Sequence, residues 1–387
     1  MSGGRNHLRG RRVQIVGSAS ARTEPGLVGY AHDVVRGLSR QVLSSGGGLV
    51  LGAGREPRGS EGGPALTFDW TALEEVAAWF SGGADPFPRQ AGPPVVVVLS
   101  EKGENEIPAE RLPLWRELLT TGRVHVETIH PGLRSAALLR QRQADYGDIL
   151  FALGGGSGVE HSAELFLSRN RAVLPLDLDL GASREDGTGG ARRLAREARA
   201  EPNRFLRLAG GSVPVSAQLA GLATCGGAAP AADVVDRTAQ LLRDIELPRA
   251  FFVRLLNDKH ALFPAVEAFF RNVVDPVVDA ADLRRVEMGT DASEHAFVNS
   301  GIFESLHQAA LAVVDVTGER PNCFIELGYA LGRGMRVLVT AQEGTNLPFD
   351  QAAIPTHFWS DTDDDATRRQ KFSLYWEKNI NRPPVVQ

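Results

Sequence analysis

The sequence predicts an α/β protein with two parallel sheets, each covered by helices on both faces. Short apolar runs alternate with stretches of helical spacing along most of the 387 residues. Most of these runs lack the apolar–polar alternation of a half-exposed strand, which indicates burial on both faces. A polar, glycine-rich segment at 181–203 interrupts the pattern, which then resumes near residue 250. A chain of this length is expected to form two domains.

The first domain is predicted from five apolar runs with helical segments between them. The predicted strands are RVQIVGS (12–18), GGLVLGAG (47–54), PPVVVVLS (93–100), DILFALGGG (148–156) and RAVLPLDL (171–178), and the clearest helices cover 29–45 and 159–170. Strands that alternate with helices pair in parallel, because the crossover helix returns the chain to the same edge of the sheet.

The second domain is predicted to follow an alanine-rich loop, one helix and a proline stop at 226–248. It opens with AFFVRLL (250–256) and has a helix near 262–272. Its best strands are LAVVDV (311–316) and RVLVTA (336–341). The expected domains are therefore 1–248 and 249–387, and the fold class is α/β with two Rossmann-like or flavodoxin-like parallel-sheet domains in tandem.

Composition narrows the function classes. The formal net charge of -5 disfavours a nucleic-acid partner. The two cysteines and nine histidines show no metal-ligand spacing, so neither a metal nor another cofactor is expected. No apolar run approaches the roughly 20 residues that span a bilayer, so no membrane partner is expected. The low cysteine count suits a reducing cytoplasm.

Three glycine-rich turns follow apolar runs in the first domain: VGSAS (16–20), LGAGREPRG (51–59) and LGGGSGVEHSAE (153–164). Glycine lets backbone N–H groups approach a phosphate, and a helix start favours an anion. Tight turns without a ligand are the alternative. The predicted nucleotide-binding residues are Gly17, Ser18, Arg22, Gly52, Gly54, Arg140, Gly154, Gly155, Gly156, Ser157 and Gly158, with the arginines as phosphate partners.

The stretches VGSAS, SSGGGLVLGAG and RQRQADYGDILFALGGGSGVEHSAE resemble the LOG and SLOG families, Rossmann-like proteins that handle nucleotides. LOG enzymes release a base from a nucleoside monophosphate, and Ser162 takes the place of their catalytic glutamate. Serine cannot supply carboxylate chemistry, and Glu160 and Glu164 nearby are expected to be capping or solvated residues. The resemblance therefore implies a SLOG-like sensor, with a LOG-type hydrolase in this half as an alternative.

Two carboxylates stand out in the second domain. Asp315 ends an apolar strand, and Glu326 follows a loop and the start of a helix for which Asn322 is the predicted N-cap. Gly328 would allow another backbone to approach the helix. Paired carboxylates at a strand edge can cleave an N-glycosidic bond. Alternatively, Glu326 pairs with an arginine or a loop N–H and Asp315 caps a turn.

The stretch AALAVVDVTGERPNCFIELGYALGRGMRVLV resembles nucleoside 2-deoxyribosyltransferase-like and TIR-like nucleotide-processing domains. The resemblance implies that Glu326 is the nucleophile and that Asp315 lies in the sugar-binding region. Arg254 in the first strand run would read a phosphate, which favours a nucleotide or NAD over a nucleoside. The expected substrate-binding residues are Arg254, Asn257, Asn322 and Gly328.

These features predict a nucleotide-sensing effector that cleaves the N-glycosidic bond of a nucleotide or NAD. By analogy with similar domain pairings, bacterial anti-phage defence is the expected context. The expected partners are a small nucleotide ligand and further copies of the chain in a homo-oligomer. The rival from another class is a non-enzymatic nucleotide-binding regulator, in which both clefts bind and neither cuts.

Overall fold

The structure, a computed structural model, describes residues 8, 10–59, 62–83, 93–130, 132, 135–181, 189–207, 214–224, 229–287, 298–347 and 354–380. The chain divides into two units, Met1–Glu246 and Leu247–Gln387, which are called the first and second unit below. Each unit contains one parallel sheet with helices on both faces. The predicted fold class, two parallel-sheet α/β domains, is confirmed.

The first unit holds a six-stranded sheet. Its strands are β1 (Arg12–Ser18), β2 (Gly48–Leu51), β3 (Val95–Ser100), β4 (Val124–Ile129), β5 (Ile149–Gly154) and β6 (Ala172–Leu176). They lie in the order β4-β3-β2-β1-β5-β6, and every pair is parallel. β2 and β5 are buried along their whole length, as the continuous apolar runs predict. β4, at one edge, is only partly buried.

The helices of the first unit pack on both faces of this sheet. They are α1 (Pro25–Ser44), α2 (Asp69–Ser81), α3 (Glu101–Asn105), α4 (Leu112–Thr120), α5 (Ser135–Tyr146), α6 (Ser157–Leu167), α7 (Ala191–Ala200), α8 (Pro202–Phe205), α9 (Val215–Thr224) and α10 (Ala231–Asp244), with a 3₁₀ turn at Ala109–Arg111. In α1 the buried residues Val28, Ala31 and Val35 recur at helical spacing, and Pro25 suits the first turn.

The second unit holds a five-stranded sheet. Its strands are β7 (Arg249–Val253), β8 (Arg284–Glu287), β9 (Leu311–Asp315), β10 (Arg336–Gln342) and β11 (Thr356–Trp359). They lie in the order β11-β10-β9-β7-β8, again with parallel pairing throughout. Counted within the unit, this order is 5-4-3-1-2, the flavodoxin-like arrangement.

The helices of the second unit are α11 (Phe263–Phe269), α12 (Asp275–Ala280), α13 (Val298–His307), α14 (Pro321–Gly332) and α15 (Asp365–Asn379), with a π-helical turn at Phe270–Val274 between α11 and α12. One apolar cluster joins Phe269, Trp359 and Phe372 on the face that α11 and α15 cover. The other joins Leu306 of α13 and Leu327 of α14 to the opposite face.

Each sheet has one point at which the strand order changes direction. In the first unit this point lies between β1 and β5, and in the second unit it lies between β7 and β9. In open α/β sheets, ligands bind in the crevice outside the carboxyl ends of the strands at this switch point. We call these the first crevice and the second crevice. In the described part of the chain, no helix is long and apolar enough to cross a membrane.

Candidate functional sites at two strand crossovers

The first crevice is formed by backbone that approaches closer than any side chain would allow. A Cβ added at Gly17, where φ is +157°, would lie 1.8 Å from the carbonyl oxygen of Leu153. Gly154 has φ +59°, and a Cβ there would lie 2.3 Å from the carbonyl oxygen of Ser18. The Gly155 N–H donates to that same oxygen at 2.7 Å. The ends of β1 and β5 therefore require glycine for steric reasons alone.

Several backbone N–H groups around this crevice already have partners. The Ala19 N–H donates to the Leu66 carbonyl and the Ser20 N–H to the Leu180 carbonyl, both at 2.7 Å. These bonds tie neighbouring loops to the end of β1. They leave the α6 end of the crevice as the place where backbone donors remain available.

Backbone N–H donors remain available in the first crevice at the start of α6. Gly156 is the N-cap residue, and its carbonyl accepts the N–H groups of Val159 and Glu160. Among the described residues, the N–H groups of Ser157 and Gly158 meet no backbone acceptor. The structure thus brings Gly17, Ser18 and Gly154–Gly158 together at one crevice, as predicted from the sequence.

Arg140 lies beside this helix start. Its guanidinium would be 3.6 Å from a Cβ at Gly158, and its Nε donates to His161 Nδ1 at 2.9 Å. No carboxylate in the described ranges lies within ion-pair distance of Arg140. The side chain is half-buried, so its charge is available at the mouth of the crevice. Arg22, by contrast, is exposed on the loop after β1, where its N–H donates to Ser20 Oγ.

Gly52 and Gly54 have a different role from the predicted one. The Gly52 N–H donates to Asp69 Oδ1 at 2.8 Å, and the Gly54 carbonyl accepts from Trp70 Nε1 at 2.9 Å. Both contacts fix the start of α2 against the end of β2. The Gly52 N–H is therefore not available to a phosphate in this conformation. Burial raises the pKa of Asp69. No sequence motif pointed to this residue.

The polar residues Glu160, Ser162 and Glu164 of α6 make structural contacts or face solvent. Ser162 is fully buried, and its hydroxyl donates to the Gly158 carbonyl at 3.2 Å. Glu160 accepts from the Gly190 N–H at 2.8 Å and so caps the start of α7. Glu164 is mostly exposed, with Arg204 at 3.5 Å. These placements agree with the interpretation of Glu160 and Glu164 as capping and solvated residues.

The second crevice contains a fully buried carboxylate. Asp315, at the end of β9, is 0% exposed. Its oxygens accept from the Thr317 N–H at 3.1 Å, from Thr340 Oγ1 at 2.7 Å and from Trp359 Nε1 at 3.0 Å. Burial raises the pKa of Asp315, and these donors oppose the rise. Asp315 thus joins the carboxyl ends of β9, β10 and β11 and makes no contact with solvent.

Glu326 lies in the second turn of α14. The buried side of this helix carries Cys323, Leu327 and Ala330, and Glu326 flanks that side. The carboxylate is half-buried, and burial raises its pKa. A carboxylate in this position is partly desolvated yet still reachable, which is the environment of a reactive acid or nucleophile.

Cys323 indicates how close the charges of the second crevice lie. Burial is the main cause that raises the pKa of its thiol, to about 12. The negative charges of Glu326 and Asp315 add to the rise, and the positive charge of Arg320 opposes it. All three charged groups are therefore within electrostatic range of one thiol.

Arg254, a predicted substrate-binding residue of the second unit, has structural partners. Its side chain is buried, pairs with Glu267 and lies 5.0 Å over the ring of Phe270, so its charge is already neutralised. An arginine in an apolar run is buried only if its charge is paired, and Glu267 provides the partner for Arg254.

Asn257 and Asn322 are both exposed. Asn257 Oδ1 accepts from the Lys259 N–H at 3.1 Å and shapes the loop after β7. Asn322 is not the N-cap of α14: the helix begins at Pro321, and Arg320 is the N-cap residue. Proline favours the first helical position, which moves the start by two residues. Gly328 is exposed, and a Cβ there would meet nothing within 4 Å, so no backbone approaches it.

The partners of Asp315 were not predictable from the motif. Thr340 and Trp359 lie 25 and 44 residues further along the chain. No local spacing connects them to the strand that they join. Among the described residues, no group of His, Cys, Asp and Glu could hold a metal ion.

The fold is that of a two-unit α/β protein, with one parallel sheet in each unit and a crevice at each switch point. The chain belongs to the family described as ATP nucleosidase Cap17-like, N-terminal, whose model matches residues 8–229. This match lies entirely in the first unit.

Two curated relatives share the description ATP nucleosidase Cap17. One is from Escherichia coli strain KTE188 and the other from Escherichia coli, and each is 30% identical over 177 residues. Each alignment covers 46% of this chain and 34% of the relative, so the matched part spans about a third of their length. Among solved structures, MurG of Acinetobacter baumannii aligns over 96% of this chain and 92% of its own, at 10% identity and a TM-score of 0.20, too low to indicate a shared fold.

Proposed function

We propose that the protein releases the base of an adenine nucleotide, ATP or NAD, by cleaving its N-glycosidic bond. The first crevice binds a regulatory nucleotide and the second crevice carries out the cleavage. The observation that carries the proposal is Glu326, a half-buried carboxylate with a raised pKa beside the switch point of the second sheet. The family description, ATP nucleosidase Cap17-like, supports the substrate class.

The chemistry assigns different work to the two carboxylates. Glu326 attacks C1′ of the sugar, or stabilises its oxocarbenium-like transition state, as the C1′–N bond breaks. The departing base takes the bonding electrons and a proton from solvent, and water then adds to C1′ to complete the hydrolysis. Asp315 is a positioning residue, because its oxygens are occupied by Thr317, Thr340 and Trp359. It holds the loop from β9 into α14 and thereby sets the location of Glu326.

The first unit supplies regulation in this proposal. A nucleotide in the first crevice shifts the protein toward its active arrangement only if it binds that arrangement more tightly. The SLOG-like and TIR-like resemblances support a sensor joined to an effector, with assembly of several copies as the response. Bacterial anti-phage defence is the context that this pairing suggests.

The decisive variant is Glu326→Gln, which keeps size and shape but removes the charge. We expect base release to fall about a hundredfold or more, since an amide neither attacks C1′ nor stabilises an oxocarbenium ion. Chromatography of adenine released from ATP and nicotinamide released from NAD measures it. Glu377→Gln, on the exposed face of α15, is the matched control and should keep full turnover. Equal rates in the two variants would exclude Glu326 from the chemistry.

The active form of Glu326 is the carboxylate, so the rate should rise with pH. Because burial raises its pKa, the rise should centre above the ordinary value for a glutamate. A pH profile of kcat/KM measures this directly. A rate already at its maximum at the ordinary glutamate pKa would contradict the assignment.

A second candidate places cleavage in the first unit, because the family match is confined to that unit. Glu160 is the carboxylate nearest the glycine loop, although it caps α7. Glu160→Gln keeps an oxygen that can accept from the Gly190 N–H, so the cap survives the change. Loss of base release in Glu160→Gln with full activity in Glu326→Gln would favour this second candidate.

Binding in the first crevice has its own test. Gly156→Asp places a carboxylate at the start of α6, where it should repel a phosphate. Calorimetry with ATP and with cyclic nucleotides should show weaker binding than in the wild type. Gly132→Asp is a matched control, since a Cβ there meets nothing within 4 Å. Equal affinity in Gly156→Asp and wild type would remove the phosphate from this crevice.

A further inference from the structure

We propose that Arg320 and His260 bind the phosphate of the substrate in the second crevice, so that this site takes a phosphorylated nucleotide and discriminates against a free nucleoside. The inference rests on the proposed function of that crevice. It replaces Arg254, the arginine selected from the sequence, with two side chains on the loops that follow β7 and β9.

The two loops meet at the switch point of the second sheet. The loop after β7 contains His260, and the loop after β9 contains Gly318. A Cβ added at Gly318, where φ is +77°, would lie 3.4 Å from Cε1 and 3.8 Å from Nε2 of His260. The imidazole therefore lies against the loop that leads into α14, at the edge where ligands of open α/β sheets bind.

Hydrogen bonds fix which nitrogen of His260 can meet a ligand. Nδ1 accepts from the Leu262 N–H at 3.2 Å, so the proton of the neutral ring is on Nε2. The His260 N–H and carbonyl are bonded to Asn257 and Phe263, which hold the residue in its turn. Nε2 has no partner among the described residues and is a donor on the crevice side. A phosphate oxygen is an acceptor that fits it.

Arg320 provides the charge. It is the N-cap residue of α14 and is half-buried, two positions after Gly318. No carboxylate in the described part of the chain lies within ion-pair distance of its guanidinium. Arginine binds phosphate through paired N–H donors, and it keeps its charge at any physiological pH. Arg254 lacks this freedom because Glu267 neutralises it in the core.

The spacing to the reactive carboxylate agrees with this assignment. Arg320, the N-cap residue, precedes Glu326 by six residues, which is about 9 Å along the axis of α14 at ~1.5 Å per residue and about 120° around it at ~100° per residue. An extended nucleotide at the start of this helix would need the length of the arginine side chain to bring its phosphate to Arg320 while its glycosidic carbon lies at Glu326. The expected substrate is a nucleotide that lies along the start of α14 with its phosphate toward Arg320.

The kinetic test compares ATP with adenosine. Arg320→Gln should lower kcat/KM for adenine release from ATP about tenfold or more and leave the rate with adenosine unchanged, because only the phosphate contact is lost. His260→Phe should do the same to a smaller extent. Arg271→Gln, an exposed arginine before α12, is the control and should affect neither substrate. Equal losses on ATP and adenosine in Arg320→Gln would overturn the proposal.

A binding test separates this inference from the proposed function. In the Glu326→Gln protein, ATP should slow hydrogen exchange in peptides from the 316–326 segment, and adenosine should not. Adding Arg320→Gln should abolish this protection. If the wild type releases no base but this pattern is present, the proposed function fails and the phosphate site stands. If ATP gives no protection, or protection survives Arg320→Gln, the phosphate site fails.

Discussion

The two crevices occupy the same topological position but are built from different parts of the chain. The first is made of backbone, in which Gly17 and Gly154 let two strand ends meet and the start of α6 supplies N–H donors. The second has charged residues at a strand end and on the helix that follows it: Asp315 ends β9, Arg320 is the N-cap residue of α14 and Glu326 lies in its second turn. Backbone donors can hold an anion, but they offer no nucleophile. The comparison therefore supports the proposal that the first crevice binds a nucleotide and the second cleaves the bond.

The largest expected effect comes from a side chain added where the first crevice has only backbone. Gly17→Ala places a Cβ 1.8 Å from the Leu153 carbonyl oxygen, which forces β1 and β5 apart. We expect a loss of about 4 kcal/mol or more, or failure of the first unit to fold. Hydrogen exchange of peptides from each unit measures it. A wild-type exchange pattern in the first unit would show that its crevice does not depend on glycine.

In the second crevice, the corresponding variant changes hydrogen bonding and not side-chain volume. Asp315→Asn turns one acceptor oxygen into an NH₂ group, which meets a donor in either orientation: the Thr317 N–H at the Oδ1 position, or Thr340 and Trp359 at the Oδ2 position. We expect the free energy of unfolding to fall by about 3 kcal/mol, since a buried donor then meets a donor. Urea unfolding, followed by hydrogen exchange of peptides from the second unit, provides the measurement. Thr362→Val, on an exposed turn, is a control that should leave the midpoint unchanged.

The second unit should lose stability as pH falls below neutrality, because it contains a buried histidine. His357 is buried against Phe269 and Phe372, and burial lowers its pKa to about 4 from 6.5. The unfolded state then binds the extra proton first, so stability is lost as pH falls from about 6.5 toward 4. From pH 7.5 to pH 5 the loss should be about 2 kcal/mol.

His357→Phe keeps an aromatic ring in the cluster and removes this proton uptake. The variant should lose less stability than the wild type over the same pH range, as measured by urea midpoints. A parallel pH dependence in both proteins would show that His357 is not the titrating group.

The smallest expected effect is a stabilisation of the second unit, whereas the variants above destabilise the protein. Gly328→Ala adds a methyl group where nothing lies within 4 Å, inside α14. Helix propensity alone should then stabilise the second unit by about 0.5–1 kcal/mol. A rise in the thermal midpoint of this unit checks it. Destabilisation would mean that a neighbouring group covers Gly328 after all.

Most of the architecture could be predicted from the sequence, because central strands are buried on both faces and therefore form continuous apolar runs. RVQIVGS (12–18) is β1, and the other four apolar runs of the first unit contain β2, β3, β5 and β6. The strands that were missed are β4, β8 and β11, each at the edge of its sheet. An edge strand such as β8, with the sequence RRVE, has too little buried surface to need an apolar run.

The sites were predictable to the extent that local sequence determines them. Glycines at strand ends and a carboxylate at the end of a strand can be read from spacing, and Gly17, Gly154 and Asp315 lie at the expected strand ends. Burial and pairing cannot be read in this way. Arg254 and Glu267 are 13 residues apart, and nothing in the motif shows that one neutralises the other.

The contact between Trp359 and Asp315 has a consequence for synthesis of the chain. The Asp315 carboxylate lacks one of its donors until residue 359 has left the ribosome, whereas the sixth strand of the first unit is complete at Leu176. Domains generally fold as units during synthesis, the N-terminal one first. Under the proposed function, the half that binds the regulatory nucleotide should therefore reach its native form while the half that cleaves is still unfinished.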